Sequence, residues 1–246
     1  FSKYVNRKYS IAVSSGTDAL EIAVKALGIK KNDEVLIPNF TIISNAIAVL
    51  KQNAKPILID CNLDNWNINI DEIEKKITKK TKALLIPNLI GNIPDWKKIK
   101  EIANKNKLLV IEDSADTIGC KIHKRSTSVY ADITITSFYG SHVISCAGNG
   151  GMLLTNNFDY FQKAKVLRSW GRMSSLLKNS ENINNRLSIN LKGVAYDKKF
   201  VFSEAGYNFE PSEMGASFGL AQLKKLKIFL KLRNRNFNLH KNFFNK

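Results

Sequence analysis

Four short segments carry residue types suited to chemistry. In Ser14-Ser15-Gly16-Thr17-Asp18-Ala19-Leu20, a glycine and a threonine sit where a β-like run meets a helical pattern. Backbone N–H groups and the Thr17 hydroxyl would face outward from a helix N-terminus, a site for an anion such as phosphate. An ordinary capped helix reads the same way, and the lysine of a Walker loop is missing. Glu112-Asp113-Ser114-Ala115-Asp116 follows the most apolar strand pattern. Asp113 thereby falls at the mouth of a sheet, where a buried carboxylate needs a cationic partner such as a protonated ring nitrogen. On spacing alone, Asp113 or Ser114 acting as a helix N-cap is the favoured alternative. Ser137-Phe138-Tyr139-Gly140-Ser141-His142 also leaves a strand and offers hydroxyls and an imidazole. A lone histidine is more often structural, yet a strand exit beside Gly140 suits a general acid or base. Arg168 and Arg172 flank Trp170-Gly171, and Tyr207-Asn208 precede the last helix. Paired arginines suit carboxylate or pyrophosphate, although solvated arginines are commoner.

The elements that must position these residues alternate. Strand patterns lie near Glu34 to Ile37, Pro56 to Asp60, Ala83 to Pro87, Leu108 to Asp113, Ile133 to Phe138 and Met152 to Thr155. Helical patterns fill the gaps at Thr17 to Leu27, Ile42 to Lys51, Ile70 to Ile77, Trp96 to Asn104 and Tyr160 to Ser169. This alternation predicts an α/β sandwich with a largely parallel sheet, its ligands gathered at the carboxyl ends of the strands. Gly148-Asn149-Gly150-Gly151 supplies a flexible turn. The polar stretch from Met173 to Lys199 reads as a long loop or excursion, and such loops are usually functional or partner-facing. Ser212 looks like an N-cap before an apolar-periodic run to Leu226.

Composition narrows the function classes. With 246 residues, 44% of them hydrophobic, the chain can bury a sizeable core. Its apolar runs are far shorter than a bilayer crossing, and the N-terminus lacks a signal-peptide pattern, so a cytoplasmic protein is expected. Three widely spaced cysteines, Cys61, Cys120 and Cys146, fit free thiols better than a disulfide framework or a clustered metal motif. The net charge of +17 raises nucleic acid as a partner, but the lysines are scattered among Asn and Ile instead of forming a stripe, which argues against it. The chain opens on Phe1 and stops inside a basic, helix-like stretch from Leu220 to Lys246, so it reads as a fragment.

In this order the segments resemble the DegT/StrS family of vitamin B6-dependent enzymes acting on nucleotide-linked keto sugars. The resemblance also takes in Asp33-Glu34-Val35-Leu36-Ile37-Pro38-Asn39-Phe40-Thr41, Gly91-Asn92-Ile93-Pro94-Asp95 and Gly206-Tyr207-Asn208-Phe209, and covers almost the whole chain. It implies a fold-type I aminotransferase-like large domain over residues 1–225, truncated at its N-terminus, and over 226–246 a connecting helix and the start of a small C-terminal domain. It further implies that Gly16 and Thr17 cradle the phosphate of pyridoxal or pyridoxamine phosphate together with Ser137. Asp113 would pair with the pyridinium nitrogen and keep the ring an electron sink. Asp116 falls where aminotransferase members have Gln or His near the ring hydroxyl. Asn208 matches an asparagine that reaches the cofactor phosphate of a neighbouring subunit, implying a homodimer with shared active sites.

The departure from the family pattern is His142, at the position where aminotransferase members carry the lysine that holds the cofactor covalently. An imidazole cannot form a Schiff base. A histidine here resembles the sugar 3-dehydratases, which hold pyridoxamine phosphate non-covalently, condense its amine with the C4 ketone of a 4-keto-6-deoxy sugar and use the histidine as base to expel the C3 hydroxyl. Glutamate is the expected amino donor. No cysteine follows Arg172, so an iron–sulfur cluster of the kind some dehydratases carry is not expected. Asn149 replaces a usual Glu, and Ile42 lies where many members stack an aromatic ring on the cofactor. The expected function is C3 dehydration of a nucleotide-linked 4-keto-6-deoxyhexose in deoxysugar or lipopolysaccharide biosynthesis. A nucleotide-sugar aminotransferase and a non-catalytic B6-fold binding protein are the alternatives.

Overall fold

The structure is a computed structural model that describes residues 1–122 and 125–245. Seven strands form one sheet: β1 (Tyr9–Val13), β2 (Glu34–Pro38), β3 (Lys55–Ile59), β4 (Thr81–Pro87), β5 (Leu109–Asp113), β6 (Ile133–Ser137) and β7 (Gly151–Thr155). Their order is β1-β7-β6-β5-β4-β2-β3. Neighbours from β3 through β6 pair in parallel, and β7 runs antiparallel to both β6 and β1. Among the described residues six helices of seven residues or more accompany it: α1 (Gly16–Ala26), α2 (Ile43–Leu50), α3 (Ile70–Lys76), α4 (Trp96–Lys105), α5 (Phe158–Arg168) and α6 (Glu213–Phe244).

Alternate residues of each strand feed opposite faces, and both faces are dry. Val35, Ile37, Ala83, Leu85 and Ile111 pack with α1, α2 and α5 on one side. Leu36, Leu84, Ile86 and Val110 pack with Ile73 of α3 and Trp96 and Ile99 of α4 on the other. That is why these strands read as unbroken apolar runs. The helices start where side chains satisfy their first N–H groups: the Ser15 hydroxyl accepts from Asp18 N at 3.1 Å, Asp95 Oδ1 from Lys98 N at 3.1 Å, and the Ser212 hydroxyl from Gly215 N at 3.2 Å.

Two segments differ from the sequence expectation. The excursion after α5 carries a small hairpin, Ile189–Leu191 against Val194–Tyr196, which its polar composition conceals. The two helical patterns at the C-terminus merge into α6, whose 32 residues run across position 225 without a break; Lys246 lies outside the described residues. Among the described residues no helix is long and apolar enough to cross a membrane.

Helix α6 docks on the loop that carries His142. Gly219 passes so close to Cys146 that an added Cβ would overlap its Sγ. Gly219→Ala is therefore expected to destabilise the protein by about 1–3 kcal/mol through overpacking. In a Cys146→Ala background only ordinary contacts remain, and the helix propensity of alanine should make the same change neutral or stabilising by up to about 1 kcal/mol. Urea unfolding of the four proteins in this cycle measures both terms.

Candidate active site

The parallel strands deliver their carboxyl ends to one edge, and the residues singled out from the sequence gather there. A cavity of about 580 Å³ is lined by Gly16 and Thr17 after β1, Asn88 after β4, Asp113 and Asp116 at the end of β5, and Ser137 and His142 after β6. Gly16 stands against β6: a Cβ on it would lie 2.7 Å from Ser137 Cβ. The Gly16 and Thr17 N–H groups belong to the first turn of α1 and have no carbonyl within the helix to bond. The Thr17 hydroxyl lies 3.0 Å from the Ser44 hydroxyl, and the Ser137 hydroxyl opens on the same space. A bare helix terminus ringed by hydroxyls is a fitting seat for a phosphate ester.

No helix follows β5. The chain turns, with Asp113 Oδ1 accepting from Ala115 N at 3.1 Å, so the simple capping alternative for Asp113 and Ser114 does not hold. Asp113 is 3% exposed and forms no ion pair among the described residues. Burial pushes its carboxyl up to about 6, against the pull of the Ala115 N–H and Asn45 and with a further push from Asp116 and Glu112. A buried carboxylate without a cation is costly, and a cationic ring nitrogen entering the cavity would remove that cost. The neighbouring Glu112 points to the opposite face of β5 and is also raised by burial. It is held by Asn88 Nδ2 and Thr134 Oγ1, each at 2.8 Å.

His142 Nε2 lies 3.7 Å from Asp116 Oδ1. The other Asp116 oxygen accepts from the Ile90 N–H at 2.9 Å, and Ile90 sits in the left-handed region at φ 55°, an uncommon and strained place for a β-branched residue. The carboxylate is thus fixed on one side and turned to the imidazole on the other. His142 Nδ1 is buried without a hydrogen-bond partner. Among the described residues lining the cavity none is a lysine. Phe40, two positions before Ile42, and Tyr139 supply the aromatic lining.

Sequence reasoning missed Asn88. It lies on the cavity wall, donates to Glu112 and accepts from Trp96 Nε1 at 2.8 Å. Its position directly after the apolar strand β4 was the available signal. Asn208 stands apart: it is exposed, bridges Ser169 and does not line this cavity.

A mostly parallel seven-stranded sheet with this cavity at its carboxyl edge is the architecture of the vitamin B6-dependent aminotransferase fold. The comparisons narrow the class. The chain belongs to the DegT/DnrJ/EryC1/StrS aminotransferase family, whose profile matches residues 1–246. It is 31% identical over 245 residues to GDP-perosamine synthase of Escherichia coli O157:H7, covering 100% of this chain and 61% of that protein. Among solved structures, NtdA of Bacillus subtilis with bound pyridoxamine phosphate superimposes with a TM-score of 0.78 at 32% identity, covering 92% of this chain and 46% of that one. GDP-4-keto-6-deoxymannose-3-dehydratase (ColD), solved with GDP-perosamine bound, reaches a TM-score of 0.88 at 25% identity, covering 100% of this chain and 64% of its own. The chain spans about three-fifths of the length of the curated relatives it matches. Pyridoxal or pyridoxamine phosphate is the cofactor of this family, and the helix terminus and Asp113 fit its phosphate and its ring nitrogen.

The sign of the Asp113 effect is testable. In the cofactor-free folded chain its carboxyl keeps the proton to about pH 6, whereas the unfolded chain releases it near 3.8. The stability it contributes is full below pH 3.8 and is lost as pH rises through 6. Asp113→Asn should be as stable as the parent at pH 3.5 and more stable at pH 8 by about 3 kcal/mol, measured by denaturant unfolding of cofactor-free protein at both pH values.

Proposed function

We propose that the protein is a pyridoxamine-phosphate-dependent 3-dehydratase acting on a nucleotide-linked 4-keto-6-deoxyhexose, with glutamate as amino donor, in deoxysugar synthesis for a surface polysaccharide. The observation that carries this reading is His142 in a cavity whose described lining contains no lysine. The likeness to a GDP-sugar 3-dehydratase supports it. In this reading the cofactor, when bound, supplies an electron sink for carbon–proton and carbon–oxygen cleavage.

This chain's residues do the rest. The first turn of α1, Thr17 and Ser137 hold the phosphate, and Asp113 keeps the ring nitrogen protonated by pairing with it. His142 Nε2 receives the carbon-bound proton whose loss starts the elimination. Asp116 meets the imidazolium so formed, which makes it a positioning residue for the base. Asn208, exposed and outside the cavity lining, is assigned to the phosphate of a second copy in a homodimer. Three free cysteines agree with a cytoplasmic enzyme. The second reading is a sugar aminotransferase, favoured by the 31% identity to GDP-perosamine synthase.

Borohydride treatment with pyridoxal phosphate, followed by intact mass, separates the two. The expected result is no mass gain in the parent and a covalent adduct in His142→Lys. An adduct in the parent overturns the dehydratase reading in favour of the aminotransferase. With a 4-keto-6-deoxy nucleotide sugar and glutamate, His142→Asn should lose about 10²–10⁴-fold of the rate of C3-oxygen loss.

A further inference from the structure

Arg168 and Arg172, singled out in the sequence, take no part in the His142 cavity. They border a second, polar cavity of about 390 Å³ between α5 and the excursion that follows it. The charged groups on its wall are Lys165, Arg168, Arg172 and Lys199 against Glu181 and Glu210. Four cations against two carboxylates leave a surplus of two. Glu210 is already committed: its Oε2 lies 3.1 Å from Arg168 Nε, and it also accepts from the Ser169 hydroxyl. Glu181 is exposed.

Arg172 has no such partner. It forms no ion pair among the described residues, and its Nε is buried without a hydrogen bond. Its position is nevertheless fixed. The guanidinium lies 4.4 Å from the Trp170 ring centroid, while the Arg172 backbone N–H donates to Ser169 O at 3.0 Å and its backbone bridges Phe202. Burial, and then Arg168, pull the Lys165 ammonium below its ordinary value, the sign of cations crowded away from water. Such a cluster opposes folding unless an anion joins it. A planar guanidinium held over an indole ring, without an ion pair among the described residues, suits the oxygens of a phosphate.

We propose that this cavity binds a diphosphate group, with Arg172 as its anchor and Lys165 and Lys199 completing the neutralisation. A diphosphate diester carries the two negative charges that match the surplus. The inference rests on the proposed function only for the source of that group: a nucleotide-linked sugar brings one, and inorganic diphosphate offers the same chemistry. The two cavities share no lining residue, so binding here is read without the reaction.

Calorimetric titration at constant ionic strength with inorganic diphosphate, GDP and guanosine tests it. Diphosphate and GDP should bind the parent and compete, and guanosine should not bind. Arg172→Gln should weaken both anions by about tenfold or more, and Lys199→Ala, on the half-exposed rim, by a few fold. Lys199→Ala keeps the test open should Arg172→Gln fail to fold, which thermal unfolding reports. Absence of saturable binding of either anion, or unchanged affinity in the folded variants, overturns the site. Displacement of diphosphate by GDP assigns the nucleotide as source; diphosphate binding that GDP cannot displace keeps the site and assigns the free anion. His142→Asn should retain diphosphate binding, so a failure of the dehydratase reading leaves this result standing.

Discussion

A helix terminus pressed against the ends of two strands is the contact on which the candidate site depends. The first turn of α1 lies on Ser137 at the end of β6, and the carbonyl of Ser15 occupies the space a side chain at Gly151 of β7 would need. Only bare backbone at Gly16 and Gly151 permits this approach. The result is a set of unbonded N–H groups held at the rim of a dry sheet, where their partial charge is little screened. The rest of the cavity is arranged around that fixed point, because Asn88, Asp113, Asp116, Ser137 and His142 all lie at or after strand ends on the same edge.

The electrostatics of β5 follow from strand alternation. Glu112 and Asp113 are consecutive, so they face opposite sides of the sheet, and each is buried. Glu112 is satisfied by Asn88 and Thr134 and belongs to the scaffold. Asp113 accepts from the Ala115 N–H at 3.1 Å and is drawn by Asn45, but it has no ion pair among the described residues, and it faces a cavity. A protein gains nothing for stability from that arrangement, which is the usual mark of a group kept for binding. The paired Asp116 and His142 repeat the pattern one layer out, with backbone strain at Ile90 holding the carboxylate in place.

Within a family that includes both perosamine synthases and 3-dehydratases, much of the site would serve either reaction. In the proposed reading the difference would lie at position 142, where an amine would bond to the cofactor and an imidazole can only exchange protons. The surrounding hydroxyls, carboxylates and helix terminus are indifferent to that choice.

Local chemistry was legible in the amino-acid order. The apolar runs of β4 and β5, the Ser212 cap and the glycine-threonine helix start each rest on period or on a hydrogen bond within a few residues, and the structure has them within a residue or two. Gly16, Thr17, Asp113, Asp116, Ser137 and His142 were likewise legible as residues next to strand ends, whereas Asn208 lies outside the cavity lining. Other features were not: the turn that replaces a cap at Asp113, the reach of Asn88 to Glu112 and Trp96, the Ile90–Asp116–His142 line, the hairpin inside a polar excursion and the uncompensated cations around Arg172. Each joins groups far apart in the chain, or depends on what covers a segment, and neither is written in local periodicity. Composition and spacing by themselves determined the α/β class and which groups reach the sheet edge. Only packing decided their distances, their burial and hence which of them remain unpaired and free to bind.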